Sequence, residues 1–330
     1  MYSEFYRLAT RPFQLTPDAR FFFESTVHRQ AMAYLVYGLH HAEGFIIITG
    51  EVGAGKTILV DNLLATINES SFVTAKIVTS QLRGDDLLHL VAAGFGIAKE
   101  GLAKGALLQR ISDFVLAQHR NGKRVLLIVD EAQNLSFEAL EELRMLSNIV
   151  VDNTMVLQSF LLGQPQFRAI LGSPGLEQLR QRVTAAYHLG PLDEAETKAY
   201  IEHRLRRAAW KGDPHFTEAS FPLIYQHTEG VPRRINTLCS RLLLYGFLEQ
   251  LHTLTGSAVD KVANDLREEI AVVASPPALP AAGPAPGALD GVFPAVVERL
   301  AALERNVDRH DRLIRRAIEI AAHYFQGERP

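Results

Sequence analysis

Gly50-Glu51-Val52-Gly53-Ala54-Gly55-Lys56-Thr57, continued by Ile58, follows an apolar run and opens a helical pattern at Lys56–Ile67. Gly50, Gly53 and Gly55 let the backbone curl so that its N–H groups face inward, and the following helix adds the positive end of its dipole. Such a loop suits a chain of phosphates. In the spacing G-x-x-x-x-G-K-[ST], Lys56 neutralises the β- and γ-phosphates of a nucleoside triphosphate and the Thr57 hydroxyl ligates Mg2+. A Gly-rich turn that holds no ligand is the plain alternative; the strand–loop–helix context argues against it. The second element is Val125-Leu126-Leu127-Ile128-Val129-Asp130-Glu131. This apolar strand delivers two adjacent carboxylates to its carboxyl end, where open α/β sheets bind ligands. Asp130 would hold Mg2+ through water, and Glu131 would polarise the water that attacks the γ-phosphate. Strands ending in Asp-Glu are common in isolation, but beside the phosphate loop the pair points to hydrolysis.

These residues need a scaffold, and the chain supplies one. Strand-like runs at Gly44–Thr49, Phe72–Ser80, Lys123–Val129, Met155–Gly163 and Thr184–Leu189 alternate with amphipathic stretches such as Leu102–Gln118 and Phe137–Val150. Strands alternating with helices imply βαβ units and a mostly parallel sheet covered on both faces. From Asp193 to Ile270 only helical patterns remain, the clearest being Glu194–Trp210 and Pro232–Leu248. The chain thus reads as an α/β domain followed by a smaller all-helical one.

Beyond it, Ala274–Gly291 reads ASPPALPAAGPAPGALDG. Proline there removes N–H donors and fixes φ, so the segment reads as a semi-extended tether. Then Val296, Leu300, Leu303, Val307, His310, Ile314, Ala317, Ala321 and Tyr324 recur at alternating three and four spacing, with charges between them. That predicts about four heptads, roughly 42 Å of helix. The tether gives this helix reach to a partner; docking back on its own domain is the alternative.

Composition excludes several classes. The 330 residues are 47% hydrophobic and 22% charged, which fits an ordinary globular chain rather than a disordered one. No apolar run approaches the ~18–20 residues of a membrane-spanning helix, and the N-terminus lacks a signal-peptide stretch. Cys239 stands alone, so no intramolecular disulfide or thiolate zinc site forms, and the expected location is the cytoplasm. A net charge of −3 argues against a global basic field for nucleic acid.

The order of motifs resembles the AAA+ ATPases, and within them the ExeA/GspA-like secretion ATPases, with greatest similarity to those found with exosortase/PEP-CTERM exopolysaccharide loci. The resemblance covers about residues 1 to 270. It is carried by PFQLTPDARFFFES (12–25), GFIIITGEVGAGKT (44–57), LLIVDEAQNLS (126–136), LEELRMLSN (140–148), LLGQPQF (161–167), LRQRV (179–183), YIEHRLRRA (200–208) and GVPRRIN (230–236). The phosphate loop is generic to many NTPases; the DEAQNLS and GVPRRIN combination is far narrower. The resemblance implies a P-loop NTPase (AAA+) parallel-sheet domain at 1–190 and a helical lid at 191–272. A Pro/Ala-rich linker at 273–292 and a coiled-coil-like helix at 293–326 complete the expected division. It implies ATP as the nucleotide.

Roles carry over by position. Gln164 matches the polar residue that senses the γ-phosphate (sensor 1), the alternative being a cap for the next helix. Arg182, ahead of Arg180, matches the arginine finger that reaches a neighbouring subunit's nucleotide; either could instead serve a surface ion pair. Arg233, with Arg234 as fallback, matches sensor 2 on the lid. The stretch around Phe13, Tyr37 and Gly38 would border the adenine or else serve the core. The resemblance implies a homo-oligomer with nucleotide sites at subunit interfaces. ExeA/GspA proteins continue into a membrane segment and an exported peptidoglycan-binding domain, where this chain has the tether and charged helix. It is therefore expected to act from the cytoplasmic side, peripheral at the inner membrane through a protein partner of an export or polysaccharide system. The competing class is an ATP-dependent DNA-binding protein of the transposition-targeting or initiator kind. Ten Lys/Arg against twelve Asp/Glu between Pro191 and Ile270 disfavour it. A small-molecule kinase is disfavoured because Glu131 beside Asp130 supplies a base for water. No LSGGQ-like signature of an ABC ATPase occurs.

Overall fold

In the computed structural model, residues 2–16, 18–41, 44–67, 70–79, 84–97, 103–152 and 154–274 are described. The Pro/Ala segment from 275 and the heptad pattern at 293–326 lie outside the described residues, as does Ser80.

A short helix α1 (Tyr2–Phe5) and a loop lead into α2 (Thr26–His41). Then β1 (Phe45–Gly50), α3 (Lys56–Thr66), β2 (Phe72–Val78), α4 (Gly84–Gly94), α5 (Lys104–Arg120) and β3 (Arg124–Asp130) alternate as expected. α6 (Phe137–Leu146) is followed by a hairpin of β4 (Val150–Val151) and β5 (Thr154–Met155). β6 (Leu157–Gly163), α7 (Gln166–Leu171), α8 (Glu177–Arg180) and β7 (Val183–Leu189) complete the α/β part.

The five long strands form one sheet in the order β2-β3-β6-β1-β7, every pair parallel. The central strands β1, β3 and β6 are buried almost throughout, because helices cover both faces. The edge strands β2 and β7 alternate in burial instead. β6 lies between β1 and β3, so three carboxyl ends meet along one rim: Gly50 with the phosphate loop, Asp130 with Glu131, and Gly163 before Gln164. One face packs on α4 to α8 and the other on α2 and α3.

The helical part comprises α9 (Glu194–Arg207), α10 (Ser220–Thr228), α11 (Pro232–Leu248) and α12 (Gly256–Ala274). Asp193 caps α9 by accepting from Glu196 N–H, while Arg204, Arg206 and Arg207 occupy its last turn, which suits the helix dipole.

Three expectations need correction. The lid is not all-helical: β8 (His215–Phe216) pairs in parallel with β9 (Thr253–Leu254). The two-residue strands bury Phe216 and Leu254, too short a run to leave a periodic signal. The helix expected at Phe137–Val150 ends at Leu146, where Ser147 Oγ donates to Arg144 O and Val150 turns to pair with Met155. Assigning the whole of 1–190 to the α/β domain also fails at its start. Tyr6, Leu8, Phe13 and Phe21 share a core with Leu205, Leu242 and Val259 of the helical part. Tyr6 Oη donates to Leu251 O at 2.9 Å and Arg204 Nε to Pro12 O at 2.6 Å, fastening this segment to the lid.

Candidate nucleotide site

The phosphate loop turns on two left-handed glycines, Gly53 at φ 83° and Gly55 at φ 103°. Gly55 is the N-cap of α3 without a side-chain cap, so the first N–H groups of that helix stay free for a ligand. Lys56 is buried, and its Nζ donates to Gly50 O at 2.8 Å and Glu51 O at 3.0 Å, leaving one N–H for a phosphate. Burial pushes the Lys56 ammonium below its ordinary pKa, while Glu131, Asp130 and Glu51 pull it back toward the charged form.

Thr57 Oγ1 donates to Asp130 Oδ2 at 2.7 Å. This pair puts a hydroxyl and a carboxylate, both hard oxygen donors, at the mouth of the loop, a set that fits Mg2+ completed by phosphate oxygens and water. Asp130 Oδ1 accepts from Glu131 N–H at 2.9 Å, so both its oxygens are engaged. Glu131 sits in the left-handed region at φ 57°. Thr79 Oγ1 donates to the carbonyls of both Asp130 and Glu131, at 2.9 and 2.7 Å, which pins that turn.

Gln164, expected as sensor 1 or as a helix cap, reaches Glu131. Gln164 Nε2 donates to Glu131 Oε2 at 3.2 Å. Arg233, second residue of α11, donates its backbone N–H to Gly53 O at 3.2 Å and lays its side chain over the loop. Arg234 instead pairs with Glu229, and of the two only Arg233 lines the cleft. The cleft between loop and lid has a volume of about 230 Å3 and takes in Val52, Gly53, Gly55, Lys56, Thr57, Ile58, Glu131 and Arg233. Ala54 lies beneath it, fully packed.

Arg180 and Arg182 stand apart from this cleft. Arg180 Nη1 donates to the carbonyls of Leu171 and Ser173 at 2.6 and 3.0 Å. Arg182 Nη1 donates to Ser147 Oγ at 2.6 Å and Nη2 to Asn148 Oδ1. Of the stretch expected to border the adenine or else serve the core, none of Phe13, Tyr37 and Gly38 lines the cleft, and Phe13 takes the core alternative. Phe13 points into the lid core, Tyr37 is exposed on α2, and a Cβ on Gly38 would strike the Ile46 side chain. The cleft is bordered there by Gln14, Leu15 and Phe21 to Phe23, with Tyr200, Arg204 and Asn236 opposite.

Two further residues touch the machinery without having been singled out from sequence. Gln133 Nε2 donates to Glu131 Oε2 at 2.6 Å, and its Oε1 accepts from Gln164 N–H at 2.9 Å. It lies inside DEAQNLS, so that motif was its available signal. His28 is buried beneath the loop, with Nε2 3.1 Å from Ala54 O and Nδ1 2.7 Å from Ser25 Oγ. A carbonyl only accepts, so Nε2 carries the proton and Nδ1 takes the Ser25 hydroxyl. Burial lowers the pKa of this imidazole.

A Cβ on Gly53 would lie 2.2 Å from Arg233 Cβ, whereas one on Gly122, also at positive φ, meets nothing within 4 Å. Gly53→Ala and Gly122→Ala are each expected to lose about 1–2 kcal/mol to backbone strain. Only Gly53→Ala should also lose ATP affinity, because it separates lid from loop; thermal melts paired with equilibrium nucleotide binding check this.

The sheet order, the loop at β1, the carboxylates at β3 and the polar residue after β6 define the P-loop AAA+ fold, with the cleft lying between the loop and the helical part. A family model described as an AAA domain matches residues 39–171. The chain is 36% identical over 267 residues to general secretion pathway protein A of Aeromonas hydrophila, covering 81% of this chain and 48% of that protein. It is 32% identical over 129 residues to the Mu-like prophage FluMu DNA transposition protein B of Haemophilus influenzae, covering 39% of this chain and 42% of that one. The chain thus spans about half the length, or less, of these curated relatives. Among solved structures, Cdc6p from Pyrobaculum aerophilum superposes with a TM-score of 0.61 at 14% identity, over 79% of this chain and 75% of that one. The Aeropyrum pernix ORC1 protein in complex with DNA gives 0.59 at 15%, over 80% and 71%. At such identities these two show the fold alone.

Proposed function

We infer that this chain binds ATP with Mg2+ and hydrolyses it, working as a switch or motor for a cell-envelope export or exopolysaccharide assembly. The observation that carries the hydrolytic half is that Lys56, Thr57, Glu131 and Arg233 line one cleft, with Asp130 bonded to Thr57 and Gln164 to Glu131 just behind it, a set drawn from three elements and the two segments that follow β3 and β6. Mg2+, held at Thr57 and Asp130, supplies charge neutralisation at the phosphates when bound. Lys56 and the N–H groups of the loop bind the phosphate chain, and Arg233 contacts it from the lid. Glu131 accepts the proton of the attacking water at a carboxylate oxygen. The backbone bond from Arg233 to Gly53 ties the lid to the loop, and the Arg233 side chain adds a contact that depends on the γ-phosphate, so loss of that phosphate loosens the lid and the lid angle becomes the output. Arg182 or Arg180 would act on a neighbouring copy of the chain, after leaving its in-chain carbonyl and amide partners.

The export half is supported by the similarity to general secretion pathway protein A. Among the described residues no helix is long and apolar enough to cross a membrane. A cytoplasmic position, reached at the membrane through a protein partner of the segment after 293, suits that reading; the association with PEP-CTERM loci rests on resemblance.

The similarity to a DNA transposition protein favours one second reading, ATP-dependent DNA binding. Duplex binding by the Glu131→Gln protein, with and without ATP-Mg2+ at physiological salt, separates the two. The export reading expects no nucleotide-dependent DNA affinity. Binding that needs ATP and falls steeply with salt would replace it with the DNA-targeting reading.

A further inference from the structure

Glu131 is held by two amides on a single oxygen. Gln133 Nε2, at 2.6 Å, and Gln164 Nε2, at 3.2 Å, both donate to Oε2, while no donor to Oε1 is found among the described residues. Glu131 lines the cleft, and Oε1 is the oxygen on which neither amide donates. Gln133 does more than donate. The carbonyl oxygen of the same side chain accepts from the backbone N–H of Gln164 at 2.9 Å. One side-chain amide therefore links the turn after β3 to the end of β6.

The local backbone explains how this short bridge arises. Glu131, left-handed at φ 57° and ψ 38°, is the N-cap of a single 3-10 turn, Ala132–Asn134. The turn brings residue 133 back over residue 131. Thr79 Oγ1 and Asn134 N–H both donate to Glu131 O, at 2.7 and 2.9 Å, so the backbone of the base is fixed independently of its side chain. What remains free is the carboxylate, and its rotation is what Gln133 restrains.

We propose that Gln133 is a positioning residue for hydrolysis: its amide clamps Glu131 through Oε2, aims Oε1 at the attacking water, and couples that aim to the sensor residue Gln164. The proposal rests on Glu131 being the base of an ATP hydrolysis reaction. Donors on Oε2 cut the rotational freedom of the carboxylate, and misplacing a reacting group by about 1 Å can lower a rate by roughly 10²-fold. Gln133 touches neither phosphate loop nor lid, so its effect is confined to the chemical step. A shift of the β6 end, where Gln164 senses the nucleotide, moves Gln133 through its Oε1 and reaches the base by one hydrogen bond.

The test is a cycle of Gln133→Ala and Glu131→Gln in the full chain, read by single-turnover hydrolysis and equilibrium ATP binding. Gln133→Ala should lower kcat by ~10–100-fold and leave ATP affinity unchanged, with a small fall in thermal midpoint because Gln164 N–H loses its acceptor. In the Glu131→Gln background the same substitution should change nothing further, because the group it positions is gone. Gln133→Glu is near-isosteric and keeps the acceptor for Gln164 N–H, but turns an acceptor toward Glu131; it should be slower than Gln133→Ala. An equal fold-loss in both backgrounds, a loss that appears in ATP affinity, or a wild-type rate in Gln133→Ala overturns the positioning role while leaving hydrolysis intact. A parent chain that binds ATP and never turns it over overturns the reaction and the positioning role together.

Discussion

Glu131→Gln should bind ATP as tightly as the parent and lose turnover by about 10²–10⁴-fold, the usual contribution of a positioned general base. Binding survives because Glu131 lies beyond the phosphate loop: Lys56, the loop N–H groups and Arg233 are untouched. The pocket also keeps its shape. The new amide presents an oxygen where Oε2 was, so Gln133 and Gln164 retain their acceptor. What disappears is an oxygen able to take a proton from water. Equilibrium binding of a fluorescent ATP analogue, paired with single-turnover phosphate release, separates the two quantities. Turnover at the parent rate would show that some other group activates the water.

Removing Lys56 acts on the earlier step. Its ammonium is the one side-chain cation embedded in the loop, and hydrogen bonds to charged groups contribute about 1.5–3 kcal/mol each. With Nζ giving up one of its two loop carbonyls to the ligand, two such contacts, to the β- and γ-phosphates, correspond to about 3–6 kcal/mol, a loss of affinity of roughly 10²-fold or more. Lys56→Ala is therefore expected to abolish nucleotide binding at ordinary concentrations. Because Nζ also donates to Gly50 O and Glu51 O, loop collapse could mimic this result. Lys56→Met fills the same buried volume without the charge and should fail to bind equally, with a thermal midpoint near that of the parent. Retention of ATP by Lys56→Met would mean that the phosphates lie elsewhere.

The chemistry of this site was legible in the sequence wherever it demands fixed residue types at fixed spacing. The phosphate loop and the Asp130-Glu131 pair are of that kind, and the structure brings them within one hydrogen bond through Thr57. The sheet was legible for a different reason: β1, β3 and β6 are covered on both faces, so they appear as unbroken apolar runs bounded by turns. Features that depend on contacts between distant segments left no such trace. The N-terminal segment looked like a preface to the α/β part, yet Tyr6 and Phe13 pack among lid helices more than 180 residues downstream. The pairs β4–β5 and β8–β9 are two residues long per strand, below the length at which alternation can be seen. Gln133 and His28 belong to the site by virtue of where their side chains end, a property of turn geometry and packing rather than of local pattern. The misplaced adenine border shows the same limit, since aromatic composition near Phe13 says nothing of which face the ring takes.

Phosphate release from ATP by the purified full chain, followed over long incubation at several protein concentrations with Mg2+ or with excess EDTA, decides whether this chain hydrolyses ATP. Finite turnover that requires Mg2+ and vanishes in Glu131→Gln is the expected result. Nucleotide bound at full occupancy with no phosphate released at any protein concentration, or release that persists under EDTA, would contradict it.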